Sequence, residues 1–186
     1  MVNNAGIWNR GKRIGELTDA EIERVMNVNA LGPFWLIRAF LPSMLKHRHG
    51  RIINVSSVLG IGGVAKMTDY CASKFAIFGM NESLRMELQL DGYNDVKTCV
   101  VCPFHVSTKL FENKVHWNHG WLMSTLTPEH VAAKIIEAIE QGKEEVWLPP
   151  IITLMPLFRF LPTTLYDALH GLLGSNNTII TGETSQ

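Results

Sequence analysis

Tyr70 and Lys74, four residues apart, are the first pair in this sequence whose types and spacing could do chemistry. On a helix that spacing puts both side chains on one face, one turn apart. An ammonium beside a phenol favours the phenolate and draws a reference pKa of about 10 toward the range of a general acid and base. Alone the pair is a weak signal, because tyrosines and lysines also share solvated helix faces. Ser57 strengthens it. It lies thirteen residues before Tyr70, at the carboxyl end of an apolar run, where open α/β sheets place residues that touch ligands. Ser56 is the rival for that position. Asn29, in Asn27-Val-Asn-Ala-Leu-Gly32, falls mid-helix although asparagine is a poor helix former. The chain opens on a further polar loop, Asn3-Asn4-Ala5-Gly6.

These groups act together only if strands and helices carry them to one place. Thr18-Asp-Ala-Glu21 reads as a capping box that opens a helical pattern with Ile22, Val25, Met26 and Asn29 on one side. Gly32-Pro33 is expected to kink that helix before it resumes through Phe34–Lys46, with Gly50 as the C′ glycine after a basic last turn. Arg51–Val55 is a strand, Ser56 to Gly63 a loop, and Asp69 to about Leu90 a helix. Lys97–Cys102 is a second buried strand stopped by Pro103. Thr127-Pro128-Glu129 starts a helix with Ile135, Ile136 and Ile139 facing inward and Gly142 as its stop, and Val146–Leu148 is a third strand. Strands separated by helix-length segments imply parallel pairing and an α/β layer architecture.

Composition narrows the classes. At 186 residues, 46% hydrophobic and 18% charged, the chain can bury a sizeable core and is not disordered. Seventeen basic residues balance seventeen acidic ones, so no net positive field collects nucleic acid. Cys71, Cys99 and Cys102 form no disulfide framework; Cys99 and Cys102, three apart on a strand, face opposite sides of the sheet and read as small buried residues. His116-Trp-Asn-His119 lacks a carboxylate or thiolate companion, so no metal is expected. Val146–Phe158 is uncharged and proline-rich, too short to span a bilayer as a helix, and suited either to a membrane interface or to packed turns.

Taken together, Asn3-Asn4-Ala5-Gly6, the Asn29 helix position, Ser57 and Tyr70-Cys-Ala-Ser-Lys74 resemble, in order and spacing, the motifs of the short-chain dehydrogenases/reductases. Cys102-Pro103, Val106 and Thr108 are similar to the family's Pro-Gly-x-Val-x-Thr segment, with Phe104 in place of the glycine. That change and the apolar C-terminus resemble the membrane-associated retinol and 17β-hydroxysteroid dehydrogenases. The resemblance implies a partial Rossmann-like, doubly wound parallel sheet over residues 1–145, followed by a last strand, an apolar segment and a polar tail over 146–186. It implies hydride transfer between NAD or NADP and a lipophilic alcohol or ketone, such as a retinoid, steroid or fatty alcohol. Tyr70 would exchange the proton, Ser57 would hold the substrate oxygen, Lys74 would lower the Tyr70 pKa and hold the nicotinamide ribose, and Asn29 would position a relay water. Asn4, Ala5, Gly6, Val106 and Thr108 would border the cofactor. Phe104, Phe111, Trp117 and Trp121 would line the substrate pocket.

The same resemblance implies a homodimer through the Asn29 and Tyr70 helices, and residence at the cytoplasmic face of the endoplasmic reticulum or a lipid droplet. The family's glycine-rich pyrophosphate turn and its NAD-or-NADP selector have no counterpart before Asn3, so the chain is expected to lack the first three strands and to be an incomplete form. Gly60-Ile-Gly62-Gly-Val-Ala65 imitates that turn but lies between Ser57 and Tyr70, where the substrate belongs. The competing expectations are a catalytically silent, dimerising member and a lipid-droplet or membrane-associated protein.

Overall fold

The computed structural model describes residues 1–111, 115–116, 124–172 and 179–180. Among them run strands β1 (Val2–Asn3), β2 (Gly50–Val55), β3 (Val96–Pro103), β4 (Val115–His116), β5 (Glu145–Leu148) and β6 (Ile179–Ile180). The helices are α1 (Asp19–Met26), α2 (Gly32–His47), α3 (Thr68–Leu90), α4 (Pro128–Gln141), α5 (Met155–Phe158) and α6 (Thr163–Leu172). Four strands form one sheet in the order β1-β2-β3-β5, and all three ladders are parallel. Asn3 is level with Asn54, Val55 with Val101, and Pro103 with Leu148, so the strands deliver their carboxyl ends to one edge. The short β4 and β6 pair antiparallel in a separate ribbon.

Alternation along the strands divides the core into two layers. Ile52 joins Ile37 of α2 and Leu84 and Leu88 of α3 on one face. Ile53, Cys99, Val101 and Val146 pack with Val131 and Ala138 of α4 on the other. Helices on both faces of a parallel sheet are the doubly wound arrangement expected. An amide relay fastens the first of these layers: Asn3 Nδ2 donates to Asn54 Oδ1 at 2.7 Å, and Asn54 Nδ2 donates to Asn81 Oδ1 on α3 at 3.0 Å.

The capping signals hold at α1 and α4. Thr18 and Glu21 cap reciprocally, Thr127 caps α4 with Pro128 at its start, and Gly142 ends it at φ +70°. Four local expectations are corrected. The perturbation expected at Gly32-Pro33 is a π-helical stretch over Asn27–Leu31, and the helix runs on without a break. Pro33 has no N–H for the Asn29 carbonyl one turn back and its ring crowds that carbonyl, so the preceding turn widens. The left-handed residue closing α2 is Arg48, φ 47°, not Gly50. Its side chain is held by Asp95 (3.2 Å), the Gly92 carbonyl (2.8 Å) and the Tyr93 ring, whereas Gly50 opens β2 against Met44, whose side chain a Cβ would meet at 2.8 Å. Pro103 is the last residue of β3 and not the residue beyond it, because the strand bonding resumes at Phe104 N, 2.7 Å from the Leu148 carbonyl. On α4 the inward face is Val131, Ile135 and Ala138; Ile136 and Ile139 are exposed.

Candidate active site

The ends of β1, β2 and β3 each contribute one wall of a cleft of about 610 Å³ at the carboxyl edge of the sheet. After β1 come Asn4, Ala5 and Gly6; after β2, Ser56 and Ser57; after β3, Phe104, Val106, Thr108 and Phe111. Tyr70 and Lys74 face it from the first turns of α3, and Val131 and Ile135 of α4 close the far side. The structure thus brings together the described candidates, with Asn29 directly beneath. Trp117 and Trp121 lie outside the described residues.

The amide of Asn29, 1% exposed, is consumed by the fold. Its Oδ1 accepts from Ile7 N–H at 2.8 Å, and its Nδ2 donates to the Ile7 carbonyl at 2.8 Å and to Ser73 Oγ at 3.0 Å. Both side-chain hydrogens are therefore spent on clamping the loop after β1 to α3. Gly6 sits beside that clamp: a Cβ there would make ordinary van der Waals contact with Lys74 Nζ at 3.6 Å and Asn29 Oδ1 at 3.7 Å.

Ser56 and Ser57 part company. Ser56 Oγ donates to the Lys74 carbonyl at 2.9 Å and is structural. Ser57 Oγ accepts from Leu59 N–H at 3.1 Å, which caps the turn Val58–Gly60 and leaves its own hydrogen to donate toward Tyr70. Gly60 presses against the same spot: a Cβ would come within 2.9 Å of the Lys74 carbonyl. The imitation of a phosphate turn is a packing glycine.

Lys74 Nζ donates to the Val55 carbonyl at 3.0 Å and stands 5.6 Å from the centre of the Tyr70 ring. Burial disfavours its charge and brings its pKa down to about 8, with the neighbouring Cys102 opposing. The Tyr70 phenol goes the other way. Burial pushes it well above its ordinary value, and the Ser57 hydroxyl pulls it back in part. Burial dominates the Tyr70 phenol in the free protein, and the expected lowering by Lys74 does not act on it there. The cause is the closure of the site: Tyr70 is 3% exposed, with the Phe111 ring 5.7 Å away and nearly perpendicular.

Reading by spacing missed several supports. Trp8 Nε1 donates to the Leu110 carbonyl at 2.7 Å, and Asn9 Nδ2 donates to Asp69 Oδ2 at 2.6 Å, next to Tyr70. Lys109 is a second cation on the cleft, and no acidic side chain lines it among the described residues. No cluster of three or more potential metal-binding side chains occurs among them either.

Residues 1–119 match the family model described as short chain dehydrogenase. The chain is 37% identical over 163 residues to the human protein named epidermal retinol dehydrogenase 2, covering 87% of this chain and 52% of that one. It is 34% identical over 178 residues to retinol dehydrogenase 10 of Rattus norvegicus, covering 95% and 52%. The chain thus spans about half the length of these curated relatives. Among solved structures, a short chain dehydrogenase from Burkholderia cenocepacia in complex with NADP is 29% identical, with a TM-score of 0.71 over 92% of this chain and 69% of that one. A second, from Burkholderia phymatum in complex with NAD, shares the fold at a TM-score of 0.71 and 23% identity, over 100% of this chain and 69% of that one. With the family model matched over more than half of its length, and with the tyrosine, lysine and serine of the sequence gathered at one sheet edge, this chain belongs to the short-chain dehydrogenases.

Proposed function

We propose that this chain carries the proton-transfer machinery of an NAD- or NADP-dependent oxidoreductase acting on a lipophilic alcohol or carbonyl of the retinoid type. The observation that carries the proposal is the meeting of Ser57, Tyr70 and Lys74 in the cleft that Asn4, Ala5 and Gly6 border. The residues fit a nicotinamide dinucleotide. Two lysines and no described carboxylate favour an anion. Asn4, Ala5, Gly6, Val106 and Thr108 would hold its nicotinamide end, and Lys74 would reach a ribose hydroxyl. When bound, the group supplies or accepts the hydride.

This chain's own part is the proton. In carbonyl reduction Tyr70, held neutral by burial, donates its phenolic proton to the substrate oxygen while Ser57 donates a hydrogen bond to that oxygen. In alcohol oxidation Tyr70 accepts that proton as the phenolate, the form that the Ser57 hydroxyl and the Lys74 ammonium favour. Support for an apolar substrate comes from Phe104, Phe111, Leu59 and Met67, which surround the reacting edge. Relatives of about 35% identity named retinol dehydrogenases point the same way.

The test is turnover of all-trans-retinol and of a steroid alcohol with each nicotinamide cofactor, by the protein and by Tyr70→Phe. The variant is expected to keep its far-ultraviolet circular dichroism and to lose at least about 100-fold in kcat, the scale of a general acid or base. Equal turnover by the two proteins would refute the assignment of Tyr70. A homodimer through α2 and α3 is supported by the groove of about 670 Å³ between them, where Phe34 and Trp35 stand exposed. Contact of the C-terminal segment with a lipid surface is supported by exposed Ile151, Leu154, Leu157 and Phe160.

A further inference from the structure

Tyr70 and Ser57 both line the cleft of about 610 Å³, and Ser57 also borders a second, much smaller space. A cavity of only about 20 Å³ separates Ser57, Leu59 and Met67 from Phe104, His105 and Phe111. What sets its size is the position of Phe111, and what sets Phe111 is the segment Val106–Phe111. The base of that segment is bonded to the residue before the α4 cap: Ser107 N–H and Oγ both donate to the Leu126 carbonyl, at 2.9 and 3.1 Å. Its tip is bonded to a different part of the fold, through the indole of Trp8 on the Leu110 carbonyl at 2.7 Å. The Trp8 and Phe111 rings then meet, tilted by 58°, at 5.2 Å between centroids.

Trp8 is well placed to act as a fixed post. The residue before it has both backbone groups clamped by Asn29. The residue after it, Asn9, is tied to Asp69 and to the Glu21 carbonyl and accepts from Arg24. With both neighbours anchored, the direction of the Trp8 side chain is fixed, and it is 6% exposed. A buried indole N–H needs an acceptor, and it has spent that need on a carbonyl 102 residues away.

We propose that Trp8 is a positioning residue that sets the substrate selectivity of the site, by pinning Leu110 and so holding the Phe111 ring edge-on to Tyr70. The post at Trp8 and the bond at Ser107 fix two ends of a short span, and Phe111 at its tip is the apolar wall against which the substrate's hydrocarbon must fit. The selectivity part rests on the oxidoreductase reading; the pinning does not.

Trp8→Phe separates the two uses of the side chain, because it keeps an aromatic ring beside Phe111 and removes only the donor. Hydrogen exchange followed by mass spectrometry is expected to show amides of Thr108–Phe111 exchanging about five-fold faster, the equivalent of one net hydrogen bond of about 1 kcal/mol. Amides of β3 should be unchanged. In turnover, the kcat/KM ratio of a long-chain to a short-chain alcohol is expected to fall about five-fold through KM, with kcat for the short alcohol retained. Unchanged exchange at Thr108–Phe111, or faster exchange spread evenly over the protein, would overturn the pinning and leave Trp8 as ordinary core. Faster local exchange with an unchanged alcohol ratio would overturn the selectivity. Absence of turnover by the unsubstituted protein with every alcohol would refute the oxidoreductase reading and the selectivity with it, while the exchange result still decides the pinning.

Discussion

Replacing Lys74 by Met should reveal a charge that the fold keeps at its own expense. Lys74 is 4% exposed, and the fall of its pKa from the ordinary 10.5 to about 8 corresponds to about 3 kcal/mol of stability withheld while the group is charged. The sign follows from proton counting. Between about pH 8 and pH 10.5 the unfolded chain binds the proton that the folded one has released, so stability rises with pH through that window and is withheld in full below about pH 8. Methionine fills similar space without the charge. At about pH 7 it removes the burial disadvantage and forfeits the bond to the Val55 carbonyl, a charge-assisted bond worth about 1.5–3 kcal/mol, so the two proteins should agree within about 1.5 kcal/mol. By about pH 9.5 the unsubstituted protein should have gained about 2 kcal/mol on the variant. Urea unfolding at the two pH values reads this directly, as a relative midpoint shift of about 1 M for a chain of this size. Burial raises Tyr70, Cys99 and Cys102 far enough that all three stay protonated in both folded proteins over this window, so the coupling of Cys102 to Lys74 adds nothing to the difference. A stability difference flat with pH to within about 0.5 kcal/mol would refute the reasoning, and so would a variant that keeps full turnover.

The other expectations need less arithmetic. Gly60→Ala forces a Cβ to within 2.9 Å of the Lys74 carbonyl, a backbone atom that cannot swing away, and should lower stability by about 2 kcal/mol, or Tm by about 4–8 °C; an unchanged melting curve would contradict the close packing. Trp35→Glu places a charge on a 54% exposed apolar residue of the α2–α3 groove and should convert a sedimenting dimer into monomer, whereas an unsubstituted protein that is already monomeric at tens of micromolar disposes of the dimer. Flotation with phosphatidylcholine vesicles should carry the unsubstituted protein and leave behind a variant with Leu154, Leu157 and Phe160 changed to Ser; no flotation of the former removes the lipid contact.

Much of the frame was legible in the residues because the signals were local. The capping box at Thr18, the Thr127-Pro128 start and the Gly142 stop of α4 each depend on groups within one turn, and each appears in the structure. The apolar runs around Ile53 and Val100 needed only burial on both faces to become central parallel strands. The failures are equally local in cause and tertiary in resolution. An isoleucine pattern on α4 admits more than one inward face, and only contact with β3 and β5 chose Val131, Ile135 and Ala138. A left-handed arginine at the end of α2 is unfavourable until Asp95, Gly92 and Tyr93, more than forty residues on, hold it.

The spacing of Ser57, Tyr70 and Lys74 by itself determined that the three would meet, because one strand end followed by one helix turn leaves them little choice. Which of two adjacent serines faces the cleft, where Asn29 spends its amide, and which way burial drives the Tyr70 phenol were decided only by the tertiary structure. The physical reason is the same in each case. A hydrogen bond between Trp8 and Leu110, or the edge-on contact of Phe111 with Tyr70, joins residues whose separation in sequence carries no periodic signal, and desolvation is a property of everything packed around a group and not of its neighbours along the chain.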